Sequence, residues 1–184
     1  VNWIFSLTPN IFNPYRYVIP CVDATYENLP SETLIGRALS TNSNRLGMGF
    51  RPDSGHVMYE SLIKSVKFKL DNDTASPTQT MYSNVRASDG SLVGTIGTLD
   101  TSTLTSSPAE YTFNTSEVQM SAGDFITVEY NYANPQTQAR TYRTGTINYI
   151  TNASTLVSTS SITSWATYYD YDYFWVWLEC EYCA

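Results

Sequence analysis

The sequence predicts an all-β protein: a two-sheet, jelly-roll-type β-sandwich preceded by an extended apolar N-terminal segment. Three observations predict it. Short runs of alternating apolar and polar residues recur along the chain, and none sustains a helical period. Turn-forming residues separate these runs at intervals of about 8–15 residues, the spacing of a sandwich. Ser and Thr supply 45 of the 184 residues and Tyr another 15, and Thr, Tyr and Val fit a pleated, half-buried surface.

Two parts follow from the pattern, an N-terminal segment at 1–20 and a sandwich domain at 21–184. In the first, Val1, Trp3, Phe5 and Leu7 alternate with Asn2, Ser6 and Thr8, interrupted by Ile4. Pro9, Pro14 and Pro20 deny a helix, and Arg16 is the segment's only charge.

The domain then reads as successive strands. Leu62, Lys64, Val66, Phe68 and Leu70 are expected on one face of a strand, with Ile63, Ser65, Lys67 and Lys69 on the other. Met81–Ala87 and Ser91–Thr98 flank Asp89-Gly90, a strong hairpin signal. Thr98–Thr105 has room for one helical turn. Tyr111–Phe113 and Val118–Met120 come next, then an Ala122-Gly123-Asp124 turn into Phe125–Tyr132. Thr141–Ile150 and the aromatic run Tyr171–Tyr182 close the chain. The expected core is Val66, Phe68, Leu70, Val85, Phe113, Phe125, Val128, Val176 and Leu178.

Composition narrows the function. The formal net charge is −7, and the three lysines, Lys64, Lys67 and Lys69, share one strand as its solvated face. A nucleic-acid partner would need a basic stripe. No apolar run approaches the ~20 residues that span a bilayer. Three sequons, at Asn72, Asn114 and Asn152, join the sparse lysine and a first residue that is Val rather than Met in pointing to an extracellular or cell-surface glycoprotein. Of the cysteines, Cys21, Cys180 and Cys183, none has a histidine neighbour, which speaks against zinc. The first and last strands of a sandwich often meet, so Cys21 is expected to pair with Cys180 or Cys183, leaving one thiol over.

The order of LGMGFRPDSG, SLIKSVKFKL, TMYSNVRASDGSLVGTIGTLDTSTLT, YTFNTSEVQMSAGDFITVEYNY and YDYDYFWVWLE resembles the carbohydrate-binding-module-like jelly-roll domains of secreted and cell-surface proteins. The resemblance covers residues from about 46 to 178 and implies a fold rather than a ligand. It implies two further expectations. Such modules often hold a structural calcium, for which Asp23, Glu27, Asp170 and Asp172 are the candidates, oxygen ligands suiting that ion. They also stack sugars on aromatic side chains, here Tyr130, Tyr132, Tyr142, Tyr149, Trp165, Tyr168, Tyr169, Tyr171 and Tyr173. No other cofactor is expected.

Catalysis is not expected. The only histidine, His56, lies in a Ser-Gly-His turn, and Glu129 with Asp170 or Asp172 is a carboxylate pair that any acidic chain offers. Assembly fits better. An apolar terminal strand with Trp3, Ile4, Phe5, Leu7, Ile11 and Phe12 needs a sheet to cover it, and adding it to a neighbour's sheet builds a head-to-tail homo-polymer. The expected function is therefore a structural subunit of an extracellular, pilus-like filament or surface appendage working by donor-strand complementation. The alternatives are a carbohydrate-binding or adhesive module and, third, a viral capsid or fibre protein.

Overall fold

Alternation along the chain builds two antiparallel sheets packed face to face, a β-sandwich. The computed structural model describes residues 22–28, 35–39, 46–52, 54–56, 58–72, 79–130, 139–144, 154–158, 164–167, 173–174 and 176–182. The strands are β1 (Val22–Asn28), β2 (Ile35–Leu39), β3 (Gly47–Arg51), β4 (Ser61–Asp71), β5 (Thr80–Arg86), β6 (Leu92–Asp100) and β7 (Ala109–Phe113). They continue with β8 (Val118–Gln119), β9 (Phe125–Tyr130), β10 (Ala139–Thr144), β11 (Ser154–Ser158), β12 (Trp165–Thr167), β13 (Tyr173–Phe174) and β14 (Val176–Tyr182). One 3-10 turn, Thr101–Thr103, follows β6, close to where a helical turn is expected. Asp100 caps it, its Oδ1 accepting from Ser102 N at 2.9 Å.

One sheet runs β1-β14-β4-β10-β13, with β2 on β10 and β7 and β8 on β4; the other runs β12-β11-β3-β9-β5-β6. The first and last strands of this order do meet: β1 pairs with β14 over all seven of its residues. The Asp89-Gly90 signal produces the β5–β6 hairpin, with Gly90 at φ 87°. Gly123 takes φ 88° in the turn into β9, a conformation that costs glycine nothing.

Between the sheets lies the expected core. Val66, Phe68, Leu70, Val85, Phe113, Val128, Val176 and Leu178 are all buried in one cluster, and Phe68 meets Phe113 edge to face with centroids 5.7 Å apart. Phe125 is buried too, but on the other face of β9, against Trp165.

β4 corrects a register. Glu179 faces Ser65 and Cys180 faces Ile63, so Lys64 has no opposite number and the strand bulges there. The extra residue switches the alternation. Ile63 is fully buried in the core, while Leu62 and Lys64 turn outward, the reverse of the strict period expected from the sequence. Lys64 then bridges two acids that face each other across β1 and β14, with Nζ 2.8 Å from Asp23 Oδ1 and 2.7 Å from Glu181 Oε2. Those hydrogen bonds hold its ammonium above the ordinary lysine range. Lys67 lies over the Trp177 ring, 4.2 Å from its centroid. The three lysines are thus the partly exposed outer face of β4, as their clustering suggests.

Candidate functional site

A strand in a two-layer sandwich ordinarily buries one face. β9 buries both. Ile126, Val128 and Tyr130 point into the core, and Phe125, Thr127 and Glu129 lie on the opposite face with no more exposure. The outer face of the six-stranded sheet is therefore sequestered around β9, and it is polar.

Its centre is an ion pair. Arg86 on β5 grips Glu129 on β9: Nε lies 2.9 Å from Oε2 and Nη2 lies 2.5 Å from Oε1. The side chains are only 4% and 1% exposed. A charge this deep is costly unless paired and fully hydrogen-bonded, and the neighbours meet that demand. Asn84, two residues before Arg86 and so on the same face of β5, donates its amide to Glu129 Oε1. Thr95 Oγ1 on β6 donates to Asn84 Oδ1 at 2.7 Å. Arg86 Nη1 donates to Gly90 O at 2.7 Å in the hairpin. Three strands and a turn are tied through one carboxylate.

Aromatic rings flank the pair. Trp165 from β12 stands edge to face on Phe125, centroids 5.3 Å apart, and the Arg86 guanidinium is 5.9 Å from the Trp165 centroid. Arg51 at the end of β3 lies 4.8 Å from the Phe125 centroid, and its Nη2 reaches Ser88 O at 3.5 Å. Arg51 Nε is buried with no hydrogen-bond partner. Unlike Arg86, Arg51 pairs with no carboxylate among the described residues. Arg51 and Trp165 are the partly exposed members, so this rim is where the constellation reaches the surface.

Chemically, Glu129 is held in place by Arg86 and Asn84. His56 Nδ1 accepts from Met58 N at 3.1 Å within its own turn. Among the described residues, no three His, Cys, Asp or Glu side chains converge on a common point. What the site offers is a cation beside aromatic rings.

The residues singled out in the sequence fall as follows. Trp3, Ile4, Phe5, Leu7, Ile11, Phe12, Cys21, Cys183, Asn152, Asp170 and Asp172 lie outside the described residues. Asp23 is exposed and paired with Lys64, and Glu27 stands opposite Trp177 in the β1–β14 ladder. Cys180 is a free, buried thiol, so it does not pair with Cys21. Asn114 is exposed in the turn after β7. Asn72 is partly buried, its amide donating to Leu104 O at 3.0 Å. Of the aromatic platforms, Tyr130 is fully buried in the core and presents no ring to a sugar; burial raises its phenol above the ordinary range. Trp165 is the one of that group placed at the candidate site. The remaining tyrosines lie outside the residues whose side chains are described. Sequence reasoning missed Arg51, Asn84, Arg86 and Thr95. The available signal was a run of polar residues, Asn84, Arg86, Thr127 and Glu129, facing the same way on strands that are otherwise apolar.

Among the described residues, no helix is long and apolar enough to cross a membrane. Neither a protein-family model nor a curated protein sequence matches the chain.

Proposed function

We propose that the protein is a structural subunit of an extracellular filament or surface appendage, assembling head to tail by donating residues 1–20 to a neighbouring copy. The observation that supports this reading is the edge of β1. Among the described residues β1 pairs only with β14, so no described strand occupies the other side of this seven-residue strand. The other long edge, β6, is obstructed. Thr115 N and Ser116 N both donate to Ile96 O, each at 2.9 Å, and two register shifts interrupt its pairing with β5.

Energetics favour a donated strand over a free tail. Burying Trp3, Phe5 and Leu7 contributes about 1.5–3 kcal/mol each, against an ordering cost of about 1–2 kcal/mol per backbone residue. Side chains alone fall short, so the segment needs ladder hydrogen bonds as well, which pairing with a strand edge supplies. Electron microscopy of the full chain and of a chain lacking residues 1–8 tests the reading. Fibres that vanish with the deletion, leaving a folded monomer, support it; fibres from both chains refute it.

A second reading, a carbohydrate-binding or adhesive module, is favoured by the partly exposed Trp165 beside Arg51. A ring that stacks on a sugar, next to a guanidinium that pairs with no carboxylate among the described residues, suits an acidic polysaccharide. Retention of the monomer on such a matrix, abolished by Trp165→Ala and Arg51→Ala, would favour it.

A further inference from the structure

The sequence holds three sequons, and the structure describes the asparagines of two, Asn72 and Asn114. We propose that Asn114 carries an N-linked glycan in the folded protein and that Asn72 does not. The inference rests on the chain being exported, and not on its forming a filament.

Two conditions make an asparagine a glycan site in a folded chain. Its Nδ2 must be free to hold a bulky, solvated sugar, and the hydroxyl two residues on must be accessible to the transferase. Asn114-Thr115-Ser116 meets both. Residues 114–117 are all exposed, between buried Phe113 and buried Val118. Phe113 ends β7 and Val118 begins β8, and both strands pair with β4, so the turn between them is held at each end. The turn is pinned in the middle as well. Thr115 N and Ser116 N share Ile96 O on β6, the Thr115 hydroxyl joins them at 3.3 Å, and a Cβ on Gly97 would lie 2.9 Å from Asn114 N. Main chain and Thr115 therefore fix the turn. Among the described residues, no hydrogen bond engages the Asn114 amide or the Ser116 hydroxyl.

Asn72 fails the first condition. It follows β4, partly buried, with its Nδ2 donating to Leu104 O and its backbone N donating to Thr105 O, each at 3.0 Å. The main-chain bond holds the residue against that segment. A sugar on Nδ2 would have to displace Leu104 O and leave a carbonyl unpaired, a costly loss wherever water cannot replace the donor.

The transfer balances without a redox partner. Asn114 Nδ2 bonds to the anomeric carbon of an oligosaccharide carried on a polyprenyl diphosphate. The carbon–oxygen bond to the diphosphate breaks, the lipid diphosphate leaves, and the amide proton passes to a base of the transferase. The sugar then stands beside Ile96 and Gly97 on the edge strand β6. Val93 and Leu92, three and four residues back along that strand, are the exposed large hydrophobic side chains among the described residues. They lie about 10–13 Å away along the strand, within reach of an oligosaccharide, so the glycan screens an apolar edge from pairing with other chains.

The test is site occupancy in the full chain secreted from yeast behind a signal peptide. Peptide N-glycosidase in heavy-oxygen water turns each glycosylated asparagine into labelled aspartate, and trypsin places the three sequons on separate peptides, 70–86, 87–140 and 144–184. The expected result is label at Asn114 in most of the secreted chain and none at Asn72. Ser116→Ala keeps Asn114 and the backbone bond to Ile96, and should lose that label; Asn72→Gln should leave it unchanged. A secreted chain with Asn114 bare, or with Asn72 labelled, would overturn the proposal. Either result would leave strand donation, which is read from fibres, untouched.

Discussion

Gly47 faces Glu129 across the β3–β9 ladder, and a Cβ at position 47 would lie 2.7 Å from Glu129 Cβ and 2.8 Å from Trp165 Cη2. The missing side chain is what lets a buried carboxylate and an indole ring occupy the same patch. Gly47→Ala should therefore destabilise the protein by about 1–3 kcal/mol through overpacking. Urea unfolding measures the loss, and near-ultraviolet circular dichroism should show Trp165 displaced. An unchanged midpoint would mean that the patch has slack.

The ion pair behind it makes a sharper prediction. Arg86→Met or Glu129→Leu alone strands a buried charge and should cost about 3–5 kcal/mol. The double variant should cost at least about 1.5 kcal/mol less than the sum, because neither charge is then left unpaired. Additive losses in a double-mutant cycle would show that the two side chains act independently.

Cys180 should be an inert thiol. Burial pushes its pKa up from 9.0 to about 11. At pH 8 that two-unit shift cuts the thiolate fraction about 100-fold, so iodoacetamide should modify Cys180 at least that much more slowly in the folded chain than in urea. The sign for stability follows. The folded state favours the protonated thiol, so this contribution is whole below pH 9 and is lost as pH rises towards 11. Rapid labelling at pH 8 would contradict the burial.

Phe68 fills the interface between the sheets, fully buried and edge to face with Phe113. Phe68→Ala should cost about 3–5 kcal/mol in the same urea assay. A loss below about 1 kcal/mol would mean that the core collapses around the cavity.

Much of this fold is legible in the residues. Asp89-Gly90 announces a hairpin because its glycine accepts the left-handed φ of 87° that the turn requires, and eight of nine expected core residues lie in one cluster because alternation leaves them only one apolar side. Two features escape that logic. A bulge at Lys64 changes no composition and adds only one residue, so the period across Leu62 and Ile63 reads the wrong way round. The outer polar layer is hidden for a related reason. Thr127 and Glu129 look like solvent-facing positions of β9, and nothing local says that Arg86, forty-three residues earlier, will neutralise one of them in a buried site. Phe125 carried the hint: an aromatic residue out of phase with Ile126, Val128 and Tyr130.

Sedimentation velocity of the full chain over a range of concentrations tests strand donation. Strand donation predicts species that grow in steps of one 20.7 kDa subunit, and a chain lacking residues 1–8 that stays at a single step while retaining its β-sheet circular dichroism. A full-length chain that sediments as one 20.7 kDa monomer at every concentration would contradict it.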